Sequence, residues 1–260
     1  MPMRMPPIGK RQPPRQGHSM ETPMLETENA LRTRLASLYR LLAFFRMTDL
    51  IDTHISARIP GTANQFLINR YGVLFHQMQP QDLIRIDPEG QPIDAPDAAQ
   101  RVNAAGFTIH SAIHMARHDL ACVIHTHTAD GIAVSCQQQG LLAISQHALK
   151  FYRRHGYHDY EGIALDLDER SRLVASLGKH QVLILRNHGL LAAGRSIAEA
   201  FLNIWFLERA CQAQVKALSG GAKIVIPPES VCERTALQFE QEDNLEHAEL
   251  VWNAALGLIE

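Results

Sequence analysis

Hydrophobic residues along the chain follow two periodicities, one that predicts helices and one that predicts strands. The first helical pattern places apolar side chains every three or four residues, at Leu31, Leu35, Leu38, Leu42 and Phe45. The same spacing of apolar positions marks an amphipathic helix wherever it recurs. It predicts further helices over residues 102–117, 129–137, 169–177 and 196–220. Ser196 and Glu199 are spaced as a capping box at the start of the last of these.

Short apolar or alternating runs between these helices predict strands. They cover residues 54–59, 65–69, 82–87, 120–126 and 181–185. After Pro227 and Pro228 we expect one or two C-terminal helices. Strands and helices interleave without an internal linker, so residues 25–260 are predicted to form one α/β domain. Residues 1–24 are rich in proline, methionine and basic side chains without period, and we expect a disordered tail.

Composition and net charge limit the classes of binding partner that we expect for this chain. A net charge of -2 in 260 residues gives no electrostatic reason to expect nucleic acid or a membrane surface. No apolar run is long enough to span a bilayer. The four cysteines form no CxxC pair, and two of them stand in apolar patterns. Unpaired thiols fit a reducing compartment, so we expect a cytoplasmic protein.

Histidine is unusually frequent, and its spacing indicates metal chemistry. His125 and His127 lie at the end of a predicted strand, where side chains two apart share a face. Such a pair alone is also found by chance on polar strand edges. His188 follows a second apolar strand, and Gly189 removes side-chain bulk beside it. Three neutral imidazoles with open positions match a catalytic rather than a structural metal site.

Two segments carry a resemblance to a known family. The runs 123–128 (VIHTHT) and 183–190 (LILRNHGL) resemble the class II aldolase/adducin family. The likeness extends to residues 54–58, to residues 66–72 and to His110, and thus covers about residues 28–220. Residues 66–72 are closer to the adducin head and its bacterial relatives than to the sugar-phosphate aldolases.

The resemblance implies a single class II aldolase-like domain with a central, mainly antiparallel β-sheet flanked by α-helices. It implies a divalent metal on His125, His127 and His188, with zinc first and manganese, iron, nickel or cobalt as alternatives. It also implies a four-fold tetramer with sites at subunit contacts. Within the matched segments we assign substrate contacts to four residues, His54, Ser56, Asn69 and Gly106.

The chain departs from the aldolases at their catalytic and phosphate-binding positions. Gly106 stands where fuculose-phosphate-type aldolases have a glutamate acid/base, four residues before His110. Ala104 and Ala105 replace the serines that precede that glutamate, while Tyr71-Gly72 and Thr53-His54 replace the phosphate loops. Phosphate sites need small residues that expose backbone N–H groups or hydroxyls. These substitutions argue against a sugar-phosphate substrate.

An enzyme without a carboxylate at position 106 must recruit another acid or base, or need none. One candidate is His110, with a histidine that supports the ligands as the alternative. The other is the polar segment 157–162 (YHDYEG), from which we assign Tyr160 and Glu161 catalytic roles. A surface loop with solvated charges remains the alternative for that segment.

The expected function is a divalent-metal-dependent lyase acting on a small, unphosphorylated hydroxy- or oxo-acid. Decarboxylation fits slightly better than aldol cleavage, because it needs no proton taken from a substrate hydroxyl by the missing glutamate. Two alternatives remain, a non-haem iron oxygenase and a non-catalytic, adducin-like protein-binding scaffold.

We also expect a homo-oligomer, most simply a tetramer. Helix 196–219 carries Phe201, Trp205 and Phe206 besides its main apolar stripe, which is more apolar surface than one flank of a sheet needs. The segment 157–162 is the candidate for reaching a neighbouring subunit.

Overall fold

A seven-stranded sheet organises the chain. The computed structural model describes residues 27–62, 64–93, 102–164, 166–242 and 244–260. The tail predicted for residues 1–24 lies outside these ranges. The strand order is β3-β2-β1-β4-β7-β6-β5. In chain order the strands are β1 His54–Arg58, β2 Phe66–Asn69, β3 Leu83–Ile86, β4 Cys122–Thr126, β5 Gly156–His158, β6 Val182–Leu185 and β7 Gly189–Gly194. All neighbours pair antiparallel except β5 and β6, which are parallel.

Helices cover both faces of the sheet. In chain order they are α1 Glu28–Phe44, α2 Ala104–Ala116, α3 Ala129–Ser135, α4 Gln146–Lys150, α5 Glu169–Leu177, α6 Ile197–Ser219, α7 Glu229–Glu242 and α8 Leu245–Leu256. Two short 3-10 turns, Phe75–Gln77 and Pro80–Asp82, precede β3. The fold is therefore α/β with a mainly antiparallel sheet, which confirms the predicted class. None of the helices in the described ranges is both long and apolar enough to cross a membrane.

Strand alternation divides the interior into two cores. Cys122 and Ile124 of β4 pack with apolar side chains of α1, α6 and α8. Val123 of the same strand packs on the opposite face with side chains of α2 and α5. Because alternate residues of a strand share a face, His125 lies on the α2 side together with Val123. The register sets His54 of β1 opposite His125.

Most predicted elements are present, but three short ones were not foreseen. β7, with the sequence GLLAAG, contains two glycines and two alanines and therefore lacks the β-branched residues that mark strands. β5 has three residues and α4 has five, too few to establish a period. Part of segment 157–162 thus belongs to a strand, where the sequence suggested a loop.

The predicted capping box of α6 is correct for only one of its two hydrogen bonds. The Ser196 hydroxyl accepts a hydrogen bond from the backbone N–H of Glu199 at 3.1 Å. The Glu199 carboxylate, however, accepts from the backbone N–H of Arg195 and also pairs with the Arg195 guanidinium. The reciprocal bond is thereby displaced by one residue from the expected position.

Phe201 of α6 is buried within the chain and Trp205 and Phe206 are half-buried, so α6 exposes less apolar surface than expected. The Phe201 ring lies 6.1 Å from that of Phe45 and 5.8 Å from that of Trp252 in α8. Phe206 contacts Phe239 of α7, with ring centroids 5.7 Å apart. The C-terminal helices supply part of the cover, so less apolar surface of α6 remains for a subunit contact than the sequence suggested.

Candidate metal centre

The three predicted ligands lie at the end of β4 and in the hairpin between β6 and β7. His125 is the fourth residue of β4, and His127 follows its end. His188 stands in the tight turn after Asn187, whose φ of 55° is left-handed. A Cβ on Gly189 would lie 2.4 Å from the carbonyl oxygen of Thr126. Only glycine allows β7 to start so close to β4, and this approach brings His188 to the strand pair.

The Nε2 atoms of the three histidines converge. They are separated by 2.8 Å between His125 and His127, 3.0 Å between His127 and His188, and 3.3 Å between His125 and His188. A triangle of this size leaves a point about 2.1 Å from all three nitrogens, the length of an imidazole–metal bond. The group is the one cluster of potential metal ligands found within the described residues.

Two of the three rings are held with the correct nitrogen facing inward. The Nδ1 of His125 donates to the carbonyl oxygen of Leu190 at 2.9 Å. The Nδ1 of His127 donates to the Asp49 carboxylate at 3.1 Å. A proton on Nδ1 leaves a lone pair on Nε2, which is the form that binds a metal. The donor set therefore fits a divalent cation.

Burial keeps two of the three imidazoles neutral. Desolvation, together with the neighbouring histidines, holds the pKa of His125 well below its ordinary value. Desolvation and the nearby His127 and His158 lower the pKa of His188 to about 4. Both imidazoles are consequently uncharged near neutral pH, so a cation meets no positive charge on these two side chains.

His54 stands beside this centre, in the space that a side chain at position 106 would fill. Its ring centroid lies 5.0 Å from that of His125. A Cβ on Gly106 of α2 would fall 2.5 Å from Cδ2 of His54 and 2.8 Å from its Nε2. The His54 ring therefore fills the space that a glutamate side chain at position 106 would need.

His110 and Ser56 are buried behind His54, where a substrate would not contact them directly. The Nε2 of His110 is 2.8 Å from Nδ1 of His54, and its Nδ1 is 2.6 Å from the Ser56 hydroxyl. The same hydroxyl is 2.7 Å from Nε2 of His114. Both ring nitrogens of His110 and the Ser56 hydroxyl are thus engaged inside the protein. This geometry favours a supporting role for them over the catalytic role predicted for His110 and the substrate contact predicted for Ser56.

Two other predicted site residues serve different partners. Asn69 is 3% exposed, and its side-chain oxygen accepts a hydrogen bond from Tyr39 at 2.9 Å. Glu161 binds Arg172, at 2.8 Å to its Nε, and these hydrogen bonds lower the pKa of Glu161. A carboxyl group so stabilised in its ionised form is a poor acid near neutral pH. Neither geometry supports the assigned role.

Tyr160 is the exception within the segment 157–162. Its ring centroid lies 6.2 Å from that of His188, and the side chain is 53% exposed. His158, by contrast, is buried and binds Glu169 at 3.1 Å. The segment therefore presents one aromatic side chain at the edge of the centre.

Sequence reasoning did not identify Asp49 or His114. His114 carried a signal, because it follows His110 by four residues and therefore shares its helix face. Asp49 carried none, since it precedes its partner His127 by 78 residues and stands in a loop.

Comparison with known proteins places these features in a family. The family model described as the class II aldolase and adducin N-terminal domain matches residues 33–215. A Pseudomonas aeruginosa protein named for the aldolase class 2 family is 51% identical over 197 residues, which cover 76% of this chain and 75% of that protein. Alpha-adducin of Rattus norvegicus is 42% identical over 193 residues, which cover 74% of this chain but only 26% of adducin.

Solved structures agree with this result. The crystal structure of an aldolase II superfamily protein from Pseudomonas syringae has a TM-score of 0.85 at 48% identity, covering 92% of this chain and 94% of that one. L-fuculose 1-phosphate aldolase from Glaciozyma antarctica has a TM-score of 0.79 at 26% identity, with the same coverage.

Proposed function

This chain belongs to the class II aldolase and adducin family, and from that premise we propose that it is a divalent-metal-dependent lyase. The proposed reaction is decarboxylation or aldolase-like cleavage of a C–C bond in a small, unphosphorylated hydroxy- or oxo-acid. The observation that carries the proposal is the convergence of three Nε2 atoms within 3.3 Å of one another. Two of these imidazoles are held in the metal-binding tautomer.

Zinc is the proposed ion, because three imidazoles with an open position are a common catalytic zinc set. Manganese, iron, nickel and cobalt also accept imidazole ligands. A bound divalent cation supplies Lewis-acid stabilisation of negative charge on substrate oxygens. His125, His127 and His188 would hold it.

The remaining residues of the centre orient the substrate. We assign His54 to substrate contact, since its imidazole adjoins His125 and occupies the space next to Gly106. His110 holds His54 through the hydrogen bond between their rings. Tyr160 flanks the open side of the centre at His188, where an aromatic ring can cover the substrate and limit access of water.

An unphosphorylated substrate is supported by a contact of Tyr71, which lies in one of the two segments that replace the phosphate loops. The Tyr71 hydroxyl donates to the Asp52 carboxylate at 3.0 Å. Asp52 directly precedes Thr53 and His54. A carboxylate in this place repels a phosphate group, whereas phosphate sites offer N–H groups, hydroxyls or cations.

A protein-binding scaffold is the second candidate, and the identity of 42% to alpha-adducin favours it. The two candidates differ in their need for a metal. A scaffold gains nothing from three convergent imidazole nitrogens, two of them held with a lone pair facing inward, so we give the lyase precedence.

We further propose that the protein is a homotetramer in the cytoplasm. The resemblance to the family supports the assembly, and four unpaired cysteines support a reducing compartment.

The test begins with the metal content of the purified protein. We expect about one divalent ion per chain and its loss in His188→Ala, while His118→Ala, an exposed histidine of the same chain, retains it. The zinc-, manganese- and iron-loaded forms are then incubated with small hydroxy- and oxo-acids, and products are detected by mass. Substoichiometric metal in the unmodified protein, without any effect of chelators, would favour the scaffold.

A further inference from the structure

A cavity lies at the opposite end of the sheet from the metal centre, and we refer to it as the distal cavity. The metal ligands stand at the end of β4 and in the hairpin between β6 and β7. The distal cavity is lined at the other ends of these strands, by Arg117 and Asp119 before β4, Gln181 and Val182 at the start of β6, and Arg195 after β7. The strands have four to six residues, which at about 3.3 Å per residue separate the two places by about 15 Å. A small ligand in the distal cavity therefore does not touch the metal centre.

The distal cavity has the size of a site for a small organic molecule. Its volume is about 720 Å³, and ligand pockets commonly measure about 300–1,000 Å³. The C-terminal helices close one side, with Phe239 of α7 and Ala248 of α8 in the lining. Both helices lie beyond residues 33–215, which the family model matches. The cavity is thus built partly from elements outside the matched family domain.

Positive charge prevails in the distal cavity. Besides His180, six cationic side chains and four carboxylates line it. Each of the four carboxylates already binds an arginine, in the pairs Arg117–Asp119 (2.6 Å), Arg195–Glu199 (2.6 Å), Arg154–Glu233 (2.6 Å) and Arg154–Glu240 (2.7 Å). The further cations are Lys150, Arg153 and Lys179. A cleft with an excess of one charge attracts ions of the opposite sign, so the distal cavity favours an anionic ligand.

Two of these further cations stand at the exposed mouth of the cavity. Lys179 is exposed. Arg153 lies 3.3 Å from Glu229, which is not part of the lining, and the two side chains are 63% and 81% exposed. An ion pair in water compensates little of the charge of either partner. Both cations therefore contribute positive potential where an anion would enter.

The imidazole of His180 responds to the same excess of positive charge. Burial lowers the pKa of His180 first, and His155 and three cationic side chains lower it further. The three are Lys179, Arg154 and Arg117. A positive surrounding disfavours a proton on imidazole, so the charges of the lining act together at this wall of the cavity.

Lys150 places an ammonium group beside the apolar part of the cavity. The residue ends α4 and is 8% exposed. Its Nζ lies 5.4 Å from the ring centroid of Phe206 and 5.5 Å from that of Phe239. Burial lowers the pKa of Lys150 to about 8, so the amine is still mainly protonated at neutral pH. Three more apolar side chains complete this part of the lining, those of Phe151, Val182 and Leu202.

We propose that the distal cavity binds a small organic anion with a dianionic head on an aromatic body, separately from the metal centre. The head pairs with Lys150, and the body lies along the apolar side chains next to it. A hydrogen bond between charged groups is about twice as strong as a neutral one, so Lys150 contributes most to the affinity. Phosphate monoesters and dicarboxylates both supply such a head, and both belong to the proposed class. This site goes beyond the proposed lyase function and does not depend on it.

Calorimetry with phenyl phosphate and phthalate tests the site. Both carry a dianionic head on a benzene ring, while inorganic phosphate supplies the head alone and benzyl alcohol the body alone. We expect at least one of the two aromatic dianions to bind once per chain with a Kd below about 1 mM. Inorganic phosphate and benzyl alcohol should bind at least about tenfold more weakly, the effect of about 1.4 kcal/mol. The tighter of the two aromatic dianions identifies the head.

Three results overturn the proposal. The first is that neither aromatic dianion binds, and the second is that inorganic phosphate binds as tightly, since the apolar side chains would then contribute nothing. The third comes from repeating the titration after a chelator has removed the metal. Binding at the distal cavity should be unchanged, whereas its loss would place the anion at the metal centre. These results do not require activity, so their failure is distinguishable from failure of the proposed lyase function.

Lysine variants locate the bound anion. Lys150→Met removes the ammonium but keeps a side chain of similar length, and should weaken binding by roughly tenfold to hundredfold. Lys179→Gln at the exposed mouth should weaken it by up to about fivefold. Lys216→Met is the control, because Lys216 is an exposed residue of α6 that does not line the cavity, and it should bind as the unmodified protein does. Unchanged binding in Lys150→Met, or in Lys179→Gln if Lys150→Met does not fold, overturns the proposal.

Discussion

At the scale of single residues, the hydrogen bond from His127 to Asp49 decides which imidazole nitrogen faces the other two ligands. The distance between His127 Nδ1 and the carboxylate is 3.1 Å. Removing such a partner typically costs 10- to 100-fold in metal affinity. We expect Asp49→Asn to lower zinc affinity by about that factor, measured by competition with a chelator.

A matched control is available three residues away. Asp52 is also exposed, but its carboxylate accepts from Tyr71 and not from a histidine. Asp52→Asn should leave zinc affinity unchanged. If both variants lost zinc affinity equally, the loss would be due to the removal of negative charge near the metal centre and not to the hydrogen bond with His127.

The pair His54 and Gly106 allows a second prediction at this scale. An alanine Cβ at position 106 would lie 2.5 Å from Cδ2 of His54. Overpacking of a buried site costs about 1–3 kcal/mol, so Gly106→Ala should lower the free energy of unfolding by that amount. In a His54→Ala background the collision is absent, and alanine should then stabilise the helix by about 0.5–1 kcal/mol relative to glycine. A double-mutant cycle of urea unfolding measures both values, and an equal effect in both backgrounds would exclude the steric coupling.

The sequence was sufficient to predict that the three histidines converge, and insufficient to predict the residues that contact them. Two-residue spacing on a strand predicted that His125 and His127 share a face, because strand geometry is local. The partners of three other residues could not be predicted, because each contact joins side chains that are separated in the sequence and no local pattern indicates it. These residues are Asp49, Asn69 and Glu161. Ser56 illustrates the difficulty, since it lies in a segment correctly matched to the family but its hydroxyl turns to two buried histidines.

At the scale of elements, α2 is held against the sheet by histidines, and this docking should depend on pH. The folded-state pKa of His114 is about 3 because of burial, while an unfolded histidine titrates near 6.5. Between these two pH values the unfolded state binds the extra proton, so the free energy of unfolding falls as the pH decreases. The slope from His114 alone is about 1.4 kcal/mol per pH unit. The lowered pKa values of His54 and His110 act in the same direction.

Urea unfolding of the metal-free protein between pH 7 and pH 5 checks this slope. His114→Gln should reduce it by about one proton, while His118→Gln, four residues further on and exposed, should not. An unchanged slope in His114→Gln would show that this imidazole does not stay neutral in the folded state.

Long elements with a repeated apolar spacing could be predicted from the sequence, whereas short or irregular ones could not. α1 and α6, with 17 and 23 residues, repeat their apolar spacing several times and were predicted closely. β7 was missed because its glycines and alanines are selected by close packing against β4 and α6, as the space at Gly189 indicates. The sequence also did not indicate that α7 and α8 pack on Phe201 and Phe206. Such contacts depend on tertiary packing and not on the sequence of either helix alone.

At the scale of the whole molecule, one group of exposed apolar side chains beside the metal centre indicates where subunits would meet. Tyr160, Ile163 and Leu167 are 53%, 73% and 56% exposed and lie within eight residues of one another. Tyr160 also flanks His188. A single chain rarely leaves such a group in water, whereas Phe201 and Phe206 of α6 already contact aromatic side chains of other parts of the chain. The proposed tetramer should therefore bury Tyr160, Ile163 and Leu167.

Light scattering tests this assembly with two aspartate variants. We expect the unmodified protein to have a mass of about four times 29.1 kDa at micromolar concentration. Ile163→Asp places a charge in the proposed interface and should shift the mass towards one chain, without lowering the melting temperature of the monomer, because the side chain is 73% exposed there. Val225→Asp is the control, since Val225 is 86% exposed in the link between α6 and α7. A single-chain mass for the unmodified protein would reject the tetramer, and a tetramer that persists in Ile163→Asp would move its interface away from the metal centre.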